Sequence, residues 1–143
     1  MTKSLTTLIQ ISQQEIDALR NDLNVYLDKR SEIEAKNLSL DESLIRERAL
    51  AENDATATPY YAKYALNVQV KKENNNRIIS TLQNNIDALS DKISEAYAVL
   101  KTYEILLEKK ELERLAEENR LEQKDNDELT LQRFQLDQKT SQG

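Results

Sequence analysis

The stretch that decides the fold is residues 79–107, ISTLQNNIDALSDKISEAYAVLKTYEILL. Its apolar residues recur at alternating spacings of three and four, and they are Ile79, Leu82, Ile86, Leu89, Ile93, Ala96, Leu100, Tyr103 and Leu107. This period of about 3.5 residues keeps one side of a helix turned toward a partner helix and is typical of a coiled coil. The stretch therefore predicts a long helix with an apolar seam.

A second seam with the same spacing precedes Pro59, which is the only proline of the chain. Its main apolar members are Ile9, Ile16, Leu19, Leu23, Tyr26, Ile33, Leu40 and Leu44. Two seams of similar length on either side of a short polar segment can pair when the chain folds back on itself. We therefore expect an all-α fold, a long antiparallel two-helix coiled-coil hairpin whose second helix overshoots the first.

The polar segment before Pro59 predicts the hinge of this hairpin. Asn53 and Asp54 favour turns, Thr58 is a good N-cap, and Pro59 suits the first position of a helix. Within one structural unit, 1–143, the predicted elements are helix 1 at about 3–51, the hinge at about 52–58, helix 2 at about 59–136 and a disordered end at about 137–143.

The register of the hairpin can be predicted from the two seams. With the hinge in the middle, facing residues have numbers that sum to about 112, which places Asn37 opposite Asn75. We predict that these two asparagines form a hydrogen bond, because a polar pair at a seam fixes the register at some cost in stability. The alternative is a wet patch of seam with no defined partner.

Two groups of residues are candidates for binding a partner. The first group follows the hinge and consists of Tyr60, Tyr61, Tyr64 and Val68. Three aromatic residues in little more than one helical turn cannot all face one seam, so at least one should be exposed, although the tyrosines could also seal the hinge. The second group lies past Leu107, where the seam ends, and consists of Leu115, Leu121, Leu129, Leu131 and Phe134. An apolar residue without a partner in its own chain suggests an external one, and the alternative is a frayed, solvated tail.

Composition argues against catalysis. The 143 residues contain no His and no Cys, and the only Gly is the last residue. The commonest general base, the thiolate nucleophile and the glycine-rich phosphate loop are therefore missing, and we expect no enzyme activity, no cofactor and no metal. The net charge of −6, with both signs interspersed, disfavours nucleic-acid binding. No segment approaches the ~20 apolar residues of a membrane-spanning helix, so we expect no direct membrane insertion.

Three stretches of the chain are typical of one known family. They are residues 4–9 (SLTTLI) with Glu15-Ile16-Asp17, residues 59–65 (PYYAKYA), and residues 115–124 (LAEENRLEQK) with Asp127-Glu128-Leu129. By their order and spacing, together with the overshooting helix, they resemble the FliJ family, the small coiled-coil stalk of the flagellar type III export apparatus. The resemblance covers nearly the whole chain, to about Phe134.

The resemblance implies a function without chemistry of its own. Family members are hairpins similar to the coiled coil of the rotary ATPase gamma subunit. Their free helical ends insert into the pore of the hexameric export ATPase, and the hairpin contacts the linker of the export-gate membrane protein and handles unloaded export chaperones. The gate contact would begin here with Tyr64 and Val68, whereas Lys71 and Asn75 depart from the apolar pattern of that ridge. The protein would be cytoplasmic, peripheral at the inner face of the cell membrane, and a monomer when free.

Two other classes of function fit the same helices. One is a generic coiled-coil adaptor or cytoskeletal rod, which would use the seams to form a parallel dimer. The other is an escort chaperone for secreted subunits, whose C-terminal helix would bind its clients. Molar mass in solution separates the hairpin from the dimer, and pull-down with the export ATPase or with flagellar cargo separates the stalk from the chaperone.

Overall fold

The structure, a computed structural model, describes residues 2–141 and consists of two long helices joined by a short turn. Helix α1 spans Thr2–Asn53 and helix α2 spans Thr58–Ser141. A single 3-10 turn, Ala55–Ala57, lies between them. No strand occurs in the part of the chain that the structure describes. The predicted all-α fold of two helices that pack against each other is confirmed.

Contacts between residues group the chain into two units. The hairpin unit comprises Gln13–Tyr97 and therefore contains the turn. The terminal unit comprises the start of α1, up to Ser12, and α2 from Ala98 onward. The expectation that all 143 residues form one structural unit stays a prediction.

The two helices of the hairpin unit run antiparallel. The guanidinium of Arg30 donates to Oε1 of Gln83 at 2.6 Å, and Nζ of Lys72 donates to Oδ1 of Asp41 at 2.5 Å. The residue number rises along α1 between these two contacts while it falls along α2, which only an antiparallel pair allows. These polar contacts bridge the edges of the seam.

The pair of asparagines predicted to set the register is present. Nδ2 of Asn75 donates to Oδ1 of Asn37 at 2.9 Å. Nδ2 of Asn37 in turn donates to Oδ1 of Asn76 at 3.0 Å. Both polar ends of the Asn37 amide are therefore used, and a shift of one helix by a turn would leave them without these partners.

The predicted seam is the buried side of both helices. Every predicted seam residue on α1 and on α2 up to Leu107 is buried or half-buried, except Glu47, which is exposed. The most deeply buried apolar residues are Leu5, Ile16, Val68, Leu82, Ile86 and Leu100. None of the described side chains is completely enclosed. The apolar core is therefore a single layer between two helices, as the 3.5-residue period indicated.

The turn differs in one detail from the prediction, which made Thr58 the N-cap of the second helix. Thr58 has helical backbone angles (φ −56°, ψ −45°), because the 3-10 turn continues directly into α2. The extended residue is Asp54 (φ −141°, ψ 106°), and its carboxylate accepts the Thr56 N–H at 3.0 Å and the Thr56 hydroxyl at 2.7 Å. The cap therefore belongs to Asp54, four residues earlier.

The end of α2 also differs from the prediction of a disordered segment from residue 137. The helix continues through Ser141, since no residue between Phe134 and Ser141 is Gly or Pro. Two hydroxyls bond back to the preceding turn, Thr140 to the Leu136 carbonyl at 2.7 Å and Ser141 to the Gln138 carbonyl at 3.0 Å. Residues 142–143 lie outside the described part of the chain.

In the terminal unit, α2 extends past the residues that pair with the start of α1. Tyr103, Leu107 and Lys110 are half-buried, whereas every described residue from Glu111 to Ser141 is exposed. We call residues 111–141 the extension. The second helix therefore overshoots the first, in agreement with the loss of the seam after Leu107.

Candidate functional site

The tyrosines that follow the turn have three different environments. Tyr60 is 79% exposed, which confirms that at least one of the three faces solvent. Tyr61 and Tyr64 are half-buried. The Tyr64 hydroxyl forms a hydrogen bond with the Ser43 hydroxyl on α1, so this ring is held against the hairpin. Of the three, Tyr60 offers the largest free aromatic surface to a partner.

Val68 is part of the seam and is only 3% exposed. Its side chain packs between α1 and α2 and is not available on the surface. Val68 and Tyr64 therefore do not form an exposed ridge in this structure. Asn75, the expected departure from the ridge, is the half-buried partner of Asn37.

Two exposed apolar residues near the tyrosines were missed by the sequence reasoning. Leu66 is 63% exposed and Val70 is 54% exposed, and they lie one helical turn apart on α2. The sequence does contain a signal for them, because both are apolar although they lie outside the seam. Together with Tyr60 they give the turn end of α2 three exposed apolar or aromatic side chains.

The predicted apolar residues of the extension are all exposed. Leu115, Leu121, Leu129 and Phe134 expose between 43% and 59% of their surface. None of them is buried against another helix, since every described residue from 111 onward is exposed. Their large free apolar surface is the most distinctive property of the terminal unit.

These apolar residues are distributed around the helix rather than aligned. Leu115, Leu129 and Leu136 are separated by multiples of seven residues and lie on one side. Leu131 is turned by roughly 160° from Leu129, at about 100° per residue, and Leu121 points in a third direction. Leu131, which the sequence placed in this group, is 57% exposed, whereas Leu136, which is 64% exposed, was not among the predicted residues. The extension thus offers apolar contacts in several directions.

Ion pairs along the extension support its helical conformation. Arg114 bonds to Glu111 and to Glu118, both at 2.6 Å, and Arg120 bonds to Glu117 at 2.8 Å. The hydrogen bond from Arg114 lowers the pKa of Glu111, and that from Arg120 lowers the pKa of Glu117. Pairs three or four residues apart stabilise a helix that has no neighbour.

No site for chemistry is evident in the described residues. Among residues 2–141 no group of carboxylates is arranged to hold a metal ion. The concave surfaces on this part of the chain are open grooves along the helices, and the one on the extension is lined by residues of a single helix, such as Ala116, Arg120 and Leu131. Neither described helix has a stretch long and apolar enough to cross a membrane.

The hairpin unit thus presents one exposed aromatic residue, Tyr60, close to the turn, and the terminal unit contains an unpaired helical extension. Residues 1–139 match the model of the family described as Flagellar FliJ protein. The chain belongs to the FliJ family. No curated protein and no solved structure matches it.

Membership of the FliJ family establishes the cellular process. This FliJ-family chain is a structural component of the flagellar export apparatus and associates with that apparatus. The match ends only four residues before Gly143, so it includes almost the whole extension as well as the hairpin unit. Both candidate surfaces therefore lie within the family region.

Proposed function

We propose that this FliJ-family chain is a non-enzymatic stalk of the bacterial flagellar type III export apparatus. Its extension inserts into the pore of the hexameric export ATPase, and its turn contacts the linker of the export-gate membrane protein. It also handles unloaded export chaperones. The protein acts in the cytoplasm, peripheral at the inner face of the cell membrane, and is a monomer when free. The observation that carries the proposal is the extension, a helix without a partner whose apolar residues are all exposed.

The distribution of these residues favours a partner that surrounds the helix. A helix that lies on one flat partner needs its apolar residues in a single stripe. In the extension, Leu121, Leu129 and Leu131 point in different directions. Subunits arranged in a ring can contact a helix from several sides at once, so such a partner would bury residues that a flat surface would leave in water.

The ion pairs of the extension keep it helical before a partner binds. An isolated helix frays in water, and ordering it on binding would reduce the affinity. The bonds of Arg114 to Glu111 and Glu118 hold the first part of the extension in helical form within the chain itself. A partner would then bind a helix that is already formed.

The proposal is tested by stimulation of the export ATPase from the same organism. The full chain should increase ATP hydrolysis by the ATPase and promote its assembly into rings. A Leu121→Asp, Leu131→Asp double variant should lose this effect, because two exposed apolar contacts on different sides are replaced by charges. The matched control is Gln123→Asp with Gln132→Asp, which adds the same charge at exposed polar positions of the same helix.

The readouts are ATPase rate, ring formation by electron microscopy and helicity by circular dichroism. Stimulation that survives in the leucine variant, at unchanged helicity, would remove the role of the extension. An equal loss in the glutamine control would show that added charge alone is responsible, and the apolar contact would be rejected.

The gate contact requires a separate experiment. We expect Tyr60→Ala to weaken binding to the soluble linker of the export gate, because Tyr60 is the most exposed aromatic residue near the turn. Tyr97→Ala, which removes a 40% exposed tyrosine elsewhere on α2, is the control. The Arg20 guanidinium lies 5.5 Å from the centroid of the Tyr97 ring, so the helicity of this variant is compared first. Val68→Ala is unsuitable, since it would lower stability. Binding that is the same for Tyr60→Ala and the unchanged protein would exclude this residue from the gate contact.

A further inference from the structure

The hairpin unit has two long faces, one on each side of the seam, and they differ in charge. One face carries two grooves between α1 and α2. The first groove is lined by Lys36, Ser39, Leu40, Lys71, Asn74 and Asn75. The second includes Lys29 and Lys92 at its edges. We call the surface around these four lysines the lysine face.

The four lysines belong to one face because of their spacing. Lys29 and Lys36 are one heptad apart on α1, and Lys71 and Lys92 are three heptads apart on α2. Each lies directly next to a seam position, and all four are exposed. Each groove has one lysine from α1 and one from α2.

On the opposite face, the lysine that lines the groove is already paired with a carboxylate. Its groove includes Val68, Lys72 and Glu73, and the Lys72 ammonium lies 2.5 Å from the Asp41 carboxylate. By contrast, Lys36 and Lys71 have no ion pair with any residue between 2 and 141. Lys36 and Lys71 therefore lack the carboxylate partner that Lys72 has on the other side of the seam. Lys29 differs from them, since its ammonium lies 5.6 Å from the centroid of the Tyr26 ring.

The first groove places like charges together without a carboxylate among its lining residues. Lys36 and Lys71 come from different helices, and the remaining lining groups are Ser39, Leu40 and two asparagine side chains. Such an arrangement adds no stability to the hairpin, and the chain as a whole has a net charge of −6. Unpaired lysines beside Leu40, the apolar residue of this lining, attract an acidic partner and orient it on approach.

We propose that the lysine face binds an acidic amphipathic helix of a partner protein, laid along the groove between α1 and α2. The apolar residues of that helix contact Leu40 and Leu89 at the groove floor, and its carboxylates meet the lysines at the rims. Lys29 and Lys36 are seven residues apart, about 10.5 Å along the helix, so carboxylates one heptad apart on the partner match them. This inference is independent of the proposed contacts of the extension and of Tyr60.

The composition of the grooves selects a protein helix over a nucleic acid. The second groove contains Asp22 beside Lys29 and Lys92, and a continuous polyanion would have to place a like charge against the Asp22 carboxylate. A helix can instead present a polar residue or a lysine at that point. Leu40 and Leu89, which line the two grooves, also have no apolar counterpart in a phosphate backbone.

The test uses the full chain and a synthetic helical peptide of about three heptads with leucine at the seam positions and glutamate beside them. Fluorescence anisotropy at low salt should show binding, and a Lys36→Glu, Lys71→Glu double variant should bind about tenfold more weakly or worse. The matched control is Lys63→Glu with Arg77→Glu. Both residues are exposed on α2, each two positions from the nearest seam residue, and the net charge changes by the same amount.

Three further probes complete the test. The same peptide with lysine in place of glutamate, a polyglutamate of equal charge and a DNA duplex should each bind at least about tenfold more weakly than the acidic helix. Absence of binding by the acidic helix, or an equal loss in the Lys63, Arg77 control, would overturn the proposal. Equal binding of the lysine peptide would leave only an apolar groove, and equal binding of polyglutamate or DNA would leave only a general anion surface. Each of these results rejects the acidic helix as the occupant.

Discussion

Replacing Asn37 by alanine should lower the stability of the hairpin by an amount that its hydrogen bonds predict. The side chain accepts a bond from Asn75 at 2.9 Å and donates one to Asn76 at 3.0 Å. The first bond is partly buried and is expected to contribute about 1 kcal/mol, whereas the second is exposed and contributes about 0.5 kcal/mol or less. We therefore expect the free energy of unfolding to fall by about 1–2 kcal/mol for Asn37→Ala.

A double-mutant cycle isolates the bond between the two seam asparagines. Asn75→Ala alone removes only one of the two bonds of Asn37 and should cost about 1 kcal/mol. Because both single variants lose the same bond, the Asn37→Ala, Asn75→Ala double variant should be more stable than the sum predicts, by about 0.5–1 kcal/mol. The measurement is urea denaturation followed by circular dichroism at a helical wavelength.

Asn84→Ala is the control for this cycle. Asn84 is exposed and has no hydrogen bond to another side chain among residues 2–141, so its replacement should change stability by less than about 0.5 kcal/mol. Strictly additive effects of Asn37→Ala and Asn75→Ala would refute the reasoning. The two amides would then be solvated independently, and they would not set the register.

Three other changes have definite expected results. Ile16→Ala should lower the free energy of unfolding by about 2–3 kcal/mol in the same assay, since Ile16 is 3% exposed but has only a single layer around it. Hydrogen bonds from Thr56 lower the pKa of Asp54, so the Asp54 carboxylate stabilises the turn at pH values above the ordinary aspartate pKa. This contribution is lost as the pH falls through the lowered pKa. The difference in Tm between the unchanged protein and Asp54→Asn should therefore shrink in acid. Arg114→Ala with Arg120→Ala should speed backbone hydrogen exchange in the first half of the extension but not in the hairpin unit.

The sequence predicted the seam well because its information is periodic. A residue such as Leu82 or Ile86 needs only the correct spacing to be placed on the buried side of a helix, and both are buried. The pairing of Asn37 with Asn75 followed from the same count. Long-range register is usually difficult to predict from one sequence, but in a hairpin with a single turn the position of that turn alone determines which residues face each other.

The turn and the candidate site were less predictable, since both depend on single side chains. Thr58 and Asp54 are both good capping residues, and only the backbone conformation decides between them. Val68 was expected in a surface ridge, although it occupies a seam position and is buried. Leu66 and Val70 could not be predicted from the seam, because both are apolar residues that lie outside it.

The face of the hairpin on which each charge lies was also not predicted from the sequence. Lys36 lies next to the seam and Lys72 lies within it, and the composition does not distinguish their charges. Only their positions in the folded hairpin show that Lys72 has the Asp41 carboxylate as a partner while Lys36 faces Lys71 across a groove. Interspersed charges in a sequence therefore do not imply an even distribution in space.

The single-layer core described above has a consequence for evolution. In a globular core each side chain must fit many neighbours, whereas Ile16 or Leu82 must only be apolar and occur at the right interval. Substitutions among aliphatic residues should therefore accumulate freely at the seam positions of such helices. Homologous proteins should keep the fold after their amino-acid sequences have diverged.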